Sequence, residues 1–557
     1  MKPRLASALL VTLLVACVST QSENPPASRA ATNTQAPQPV REPAPRPVAP
    51  PAPAATKVAE VRSVSADMAR MIAMPAPIPM QAPAPDRERY GPLTDNPVKR
   101  VAEAPVSTFS IDVDTGSYSN VRRMLNAGRL PPADAVRVEE LINYFPYDYA
   151  QPQDGRPFAV HTELAPAPWN SERVLLRIGI KGVDVAKASL PPANLVFLVD
   201  VSGSMNSADK LPLLKSSLKL LVNELRPQDR ISLVTYASGT QVVLPPTAGS
   251  DKATLIAAID GLRAGGSTAG ASGIQLAYTA AQQSFIKGGI NRILLATDGD
   301  FNVGINDTRQ LKSLIEEKRK SGISLSTLGF GTGNYNEAMM EQIADVGDGA
   351  YSYIDSLMEG HKVLVNEMTS TLATIARDVK VQIEFNPAVV REYRQIGYEN
   401  RQLAREDFNN DKVDAGDIGA GHTVTALYEL TLVEGKPSVD DLRYAPQPPR
   451  EGPLANELGH LKLRYKLPAA SSSQLIDFAL QRSAIKPLAA ASSEFRFATA
   501  VAGVGQLLRG GKYTGDWGYA QARELAVMNL GQDRFGYRGE FLRLLDLATA
   551  LGTRPVQ

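Results

Sequence analysis

The stretch Asn194–Met205, N-L-V-F-L-V-D-V-S-G-S-M, limits what this chain can fold into more than any other. Leu195 to Val199 is a short, wholly apolar run, which reads as a strand buried on both faces of a sheet. It ends at Asp200, and Ser202 and Ser204 follow in alternation around Gly203. A carboxylate and two hydroxyls at the C-terminal end of a buried parallel strand stand where open α/β sheets gather their ligands. All three are oxygen donors, so the fitting guest is a hard cation such as Mg²⁺. Taken alone, D-x-S-x-S is more often a strand end that caps the following helix.

Two later stretches shift that balance. Arg263–Gly270, R-A-G-G-S-T-A-G, is a glycine-rich loop that delivers Thr268 just before a helical pattern. Asn291–Asp300, N-R-I-L-L-A-T-D-G-D, is a second buried strand, broken at Asp298-Gly299. Three loops thus bring Asp200, Ser202, Ser204, Thr268 and Asp298 to one expected sheet edge. The set resembles the metal-ion-dependent adhesion site (MIDAS), and Asn194 to about Arg377 resembles a von Willebrand factor type A domain. That resemblance implies a doubly wound, Rossmann-like α/β fold and one Mg²⁺ or Mn²⁺ as cofactor. It also implies that the serine and threonine hydroxyls bind the ion, with the aspartates direct or through water. The sixth position is then left for an Asp or Glu carboxylate of a protein partner. The chemistry is coherent: Mg²⁺ wants six oxygens in near-octahedral array, and neutral hydroxyls leave it an electrophilic face. Asp300, just beyond, reads as a solvated turn residue rather than a rim carboxylate.

The rest of this region alternates strand and helix, which argues a mostly parallel sheet. Helices are expected over Lys210–Leu225, Lys252–Leu262, Gly270–Phe285, Thr308–Lys320, Glu337–Val346 and Met358–Arg377. Strands are expected over Arg230–Tyr236, Gln241–Leu244 at an edge, Ile323–Phe330 and Ala350–Ile354.

Ahead of it, Met1–Ala16 carries Lys2 and Arg4 and then an apolar run too short to remain a spanning helix, so it reads as a signal peptide. Leu14-Val15-Ala16-Cys17 resembles the bacterial lipobox, which implies lipidation of Cys17 and attachment to a membrane. Val18 after the cysteine leans towards the outer membrane of the cell envelope. Residues 17–89 are rich in Pro, Ala, Ser and Thr and read as an extended, disordered linker, with helical spacing at Val61–Met74.

The flanks are read as residues 90–192 before the A domain (193–377) and residues 378–557 after it. Asp114-Thr115-Gly116-Ser117 lacks the second Asp-Thr-Gly that an aspartic protease would need. It is expected instead to end a strand and cap the helix Tyr118–Asn126. A second helix is expected over Arg137–Tyr144, and strands over Phe158–Glu163 and Val174–Ile180. After Val379 come strands Val379–Phe385, Val389–Tyr393, His422–Leu432 and Leu461–Leu467, then helices Glu494–Arg509, Gly518–Asn529 and Arg538–Leu551. Asp407–Asp417 imitates a calcium loop but has Lys412 where Gly is needed and Ile418 where Glu is needed, so it reads as a polar loop. D-T-G-S-Y-S-N-V-R-R, V-E-E-L-I-N-Y-F and A-G-H-T-V-T-A-L-Y-E-L resemble the domains that flank the A domain in a family of bacterial lipoproteins. Because a lone strand pair is marginal, the A domain is expected to be inserted into one discontinuous β-rich domain, with the C-terminal helices packed on it. Its metal face should then point away from the linker.

Composition narrows function. A net charge of +1 gives no argument for nucleic acid. A single cysteine excludes internal disulfides, and with four histidines a His/Cys zinc site is not expected. The reading is a lipid-anchored envelope protein, not an enzyme, that binds a protein partner through its metal site. Two alternatives stand beside it. One is a structural envelope scaffold with a structural metal. The other is a metal-assisted hydrolase, against which the metal loops offer no evident general base.

Overall fold

The apolar run after Asn194 forms the strand Ala193–Asp200, all 8 residues of it buried. It lies parallel between Arg230–Tyr236 and Ile290–Thr297. Ser324–Phe330 and Tyr351–Ile354 extend the sheet in parallel on one side, and Thr240–Ala248 closes the other edge antiparallel. Alternate side chains of a strand point to opposite faces, and here both faces are covered. Leu195, Phe197 and Val199 pack with Leu214, Leu218 and Leu255, while Val196 and Leu198 pack with Ile274, Ala277, Ile315 and Ile343. This is the doubly wound α/β domain expected. The computed structural model describes residues 88–552 except 112–113, 268–269, 300–307, 334, 441 and 444–453. The chain divides into residues 1–80 and 81–557. The first unit, with the signal segment, Cys17 and Val61–Met74, lies outside the described residues.

Two antiparallel sheets form a sandwich around this insertion. One runs in the order 99–100, 390–396, 423–432, 170–182, 158–167. The other runs 416–419, 374–385, 457–466, 474–481, with Val106–Ser110 also paired to Thr374–Phe385. Val174 to Ile180 pair with Leu430 to Val424, so the chain leaves this sandwich before the A domain and re-enters it after. Leu176, Ile178, Tyr428 and Leu430 meet Val381, Ile383, Leu461 and Leu463 in the core between the sheets. The outer face of the first sheet, through Leu175, Leu427 and Ile396, is covered by the helices Gly116–Asn126, Val138–Asn143, Ser493–Leu508, Tyr519–Val527 and Tyr537–Gly552. Tyr118 stacks on Tyr144 at 3.7 Å, and Phe145 meets Phe497 and Phe541 edge-on. The C-terminal helices therefore pack with the N-terminal ones as one layer.

Three expectations are corrected and one strand is added. The helix expected over Met358–Arg377 is broken: Leu357–His361 passes into a π-turn at Lys362–Asn366, then Met368–Leu372, and Thr374 already begins a strand. The β-branched residues Ile375, Val379, Val381 and Ile383 favour the sheet once its partners are present. Gln474–Gln481, to which no element is assigned from the sequence, is an edge strand. Asp114, Thr115 and Ser117 do not cap the helix Gly116–Asn126; the Ser117 N–H in its first turn donates to Glu140 Oε2 at 2.8 Å. Asp114 instead accepts from the Tyr351 N–H (2.9 Å) and from Arg401, and Ser117 Oγ donates to the Ala135 carbonyl. Lastly, the first described residues lie beside the edge where the Asp200 and Asp298 strands end, and not opposite it. Arg89 N–H donates to the Tyr335 carbonyl, Glu88 accepts from the Gly333 N–H, and Gly299 abuts Asn336 in that same loop.

The A domain is fastened to the flanks through buried charge. Arg122, 1% exposed, donates to Asp355 and to Glu359 (2.8 Å) beyond the edge strand, to Glu540 (3.1 Å) of the last helix, and to Tyr144 (2.8 Å). Tyr144 in turn donates to Glu359 at 2.7 Å.

Candidate metal site

Parallel pairing sets Asp200 and Asp298 side by side: Val199 lies opposite Ala296, and both strands end at the same edge. Both aspartates have 0% exposure. Asp200 Oδ1 accepts from the Ser202 N–H at 2.8 Å and Oδ2 from the Thr297 hydroxyl at 3.0 Å, so its carboxylate plane is fixed from two sides. The Gly299 N–H donates to the Thr297 hydroxyl in turn, at 3.1 Å. Gly299 has φ +85°, and a Cβ there would lie 2.8 Å from the Asn336 nitrogen, so the turn after Asp298 admits only glycine.

Past Asp200 the chain makes a tight 3₁₀ turn, Gly203–Asn206. It brings Ser202 Oγ to 3.0 Å from Ser204 Oγ. Ser202 is buried at 2% exposure while Ser204 is exposed, so the donors run from the floor of the site to its rim. The glycine-rich loop is bound to this turn: Gly203 N–H donates to the Gly266 carbonyl (3.0 Å) and Gly265 N–H to the Val201 carbonyl (2.7 Å). Gly266, at φ +87°, packs against Ser238, whose Oγ accepts from the Ser267 N–H at 3.0 Å. Thr268 and Asp300 lie outside the described residues, as does Cys17.

The site is electrostatically loaded. Burial pushes the Asp200 carboxyl up to about 6, against the hydrogen bonds from Ser202 and with the help of Asp298. Asp200 and Asp298 carry more negative charge than the Lys210 ammonium beside them offsets. The side chains are oxygen donors without nitrogen or sulfur ligands, which suits Mg²⁺ or Mn²⁺ and not zinc. Among the described residues no group of three or more His, Cys, Asp and Glu side chains is placed to hold a metal, so hydroxyls would have to complete the set here.

Two contributors escaped the sequence reading. Thr297 precedes Asp298 and orients Asp200. Lys210 reaches back from the end of the Ser204 loop, its Nζ donating to Asp298 Oδ2 at 2.9 Å. A signal for Lys210 existed: a cation just before an apolar helix opposes the helix dipole and asks for a specific partner.

Three family models match the chain. Residues 194–367 match the von Willebrand factor type A domain, residues 84–177 match a family described as von Willebrand factor, and residues 370–551 match the C-terminal family of "Uncharacterized protein YfbK". YfbK of Escherichia coli is 55% identical over 472 residues, covering 83% of this chain and 81% of that protein. "Uncharacterized protein sll0103" of Synechocystis is 26% identical over 320 residues, 56% of this chain and 70% of that one. A solved von Willebrand factor type A protein from Catenulispora acidiphila aligns over 70% of this chain and 91% of its own at 16% identity, with a TM-score of 0.39.

Proposed function

The chain belongs to the family of von Willebrand factor type A proteins that includes YfbK, and from that premise we propose that it is a metal-dependent protein-binding module of the bacterial cell envelope. Domains of this kind commonly mediate protein interactions and typically bind a divalent metal. The observation that supports the reading is the pair of fully buried carboxylates, Asp200 and Asp298, beside the Ser202 and Ser204 hydroxyls at the C-terminal edge of the parallel strands.

In this reading Asp200, Ser202, Ser204, Thr268 and Asp298 hold one Mg²⁺ or Mn²⁺. The bound ion supplies a Lewis-acidic position for an Asp or Glu carboxylate of the partner. Thr297 and the Ser202 N–H orient Asp200, and Ser204 faces solvent where the partner arrives. A binding role is favoured over hydrolysis because the two serine hydroxyls pair with each other at 3.0 Å, and the base that Ser202 bonds, Asp200, is a carboxylate this reading gives to the ion. Cys17 is the lipid anchor, supported by L-V-A-C at the end of the apolar N-terminal run, with the outer membrane as the site of attachment.

Calorimetric titration of the folded part with MgCl₂ tests this. One site per chain is expected, lost in Asp200→Ala with circular dichroism retained. Unchanged affinity in that variant would refute the assignment. Loss of the fold itself in Ser204→Ala would favour the structural-scaffold alternative.

A further inference from the structure

Lys210 is a built part of the metal edge. Its Nζ lies 2.9 Å from Asp298 Oδ2, with 7% of the residue exposed against 0% for Asp298. The room for its stem comes from Gly331 at φ +78°, where a methyl group would overlap Cγ, Cδ and Cε of the lysine. The Gly331 carbonyl is pinned by the Tyr353 hydroxyl at 2.7 Å, so this floor is rigid. Lys210 also sits at the N-cap of the helix Leu211–Glu224, where the helix dipole disfavours a cation. Position, packing and charge therefore all favour the contact with Asp298.

Resting on the metal-binding reading above, we propose that Lys210 is a resident third charge of the site, which loosens its hold on the divalent ion and keeps the loaded site attractive to an acidic partner. Asp200, Asp298 and Lys210 sum to one negative charge, so a divalent ion turns the buried set net positive. Without the ammonium the same ion would leave it neutral. Charges a few ångströms apart at an effective dielectric of about 20 interact strongly enough for this to govern affinity. Lys210 acts on the ion through Asp298; it is a positioning residue and not itself a ligand.

The test compares wild type, Asp200→Ala, Lys210→Met and Gly331→Ala by calorimetry with MgCl₂, using the full folded chain. Lys210→Met is expected to tighten Mg²⁺ by about tenfold or more, about 1.4 kcal/mol, and to enlarge the Mg²⁺-dependent rise in Tm. Gly331→Ala displaces the same ammonium by crowding its stem and should shift affinity in the same direction, which keeps the test open if Lys210→Met folds poorly. A carboxylate probe completes it: relaxation of acetate protons by the Mn²⁺-loaded protein should fall in Lys210→Met. Unchanged or weaker Mg²⁺ binding in both variants, with wild-type binding intact and lost in Asp200→Ala, overturns the role of Lys210 alone. No Mg²⁺ binding by the wild type overturns the metal reading and this inference together.

Discussion

Arg122 offers the sharpest test of how the A domain is held, because one guanidinium serves three carboxylates from two parts of the chain. Arg122→Met keeps most of the stem and removes the charge. Glu359, at 1% side-chain exposure, and Asp355, at 6%, then lose their main cation, while Glu540 at 14% can partly rehydrate. Breaking a buried pair by removing one partner typically costs about 3–5 kcal/mol, and that loss is expected at pH 7.5. The pH dependence separates charge from packing. In the wild type, burial pushes Glu359 up, but Arg122, Lys362 and Tyr144 together carry it below the ordinary range. It therefore contributes stability above its unfolded pKa, lost as pH falls through the folded one. Asp355 is already held above the ordinary range by burial, against the pull of Arg122. In the variant both are raised, so their penalty is largest at high pH and is relieved on acidification. Urea unfolding can be followed by fluorescence of Trp169 and Trp517, whose rings meet edge-on at 5.6 Å in the core between the first sheet and the helices. The deficit should shrink between pH 8 and pH 5. A loss under about 1 kcal/mol, or an equal loss at both pH values, would refute the reasoning.

Two further outcomes are expected. Glu140, Glu337 and Glu341 crowd Arg137 at another buried contact between flank and A domain, and burial outweighs the pull of Arg137 to push Glu140 up to about 8 and Glu337 up to about 7. Carboxyls raised in the folded state make stability fall as pH rises from about 5 to about 8; Glu337→Gln should flatten that slope in urea midpoints, and an unaltered slope would count against it. Cys17→Ser should release the protein from membrane fractions and remove an acylated N-terminal cysteine from the mass spectrum; retention on membranes would retire the anchor.

The A domain was legible because its central strands are buried on both faces, which writes Leu195–Val199 and Ile293–Ala296 as short apolar runs closed by Asp200 and by Thr297-Asp298. The glycines at 266 and 299 mark turns that a side chain could not follow. The insertion was legible too, since unpaired strands on either side of the A domain needed each other. What was hidden depended on distant partners. Asp114 looks like a cap, but its partner Tyr351 is 237 residues away. Val363, Leu364, Met368 and Leu372 keep helical spacing, yet buried Lys362 over the Tyr144 ring at 4.3 Å accompanies a π-turn, and sheet pairing claims the chain from Thr374. In Gln474–Gln481 the exposure of Leu475, at 53%, blurs the alternation of Ile476, Phe478 and Leu480 that marks an edge strand. Lys210 belongs to the site only because the turn after Ser204 and the space over Gly331 return it to Asp298.

The most direct test of the central claim is anomalous diffraction from crystals of the folded part soaked in Mn²⁺. The account predicts a single strong peak between Asp200, Ser202 and Ser204, with oxygen ligands at about 2.0–2.2 Å. The peak should vanish in Asp200→Ala. A peak confined to the polar loop Asp407–Asp417, or none at the sheet edge with the fold intact, would contradict it.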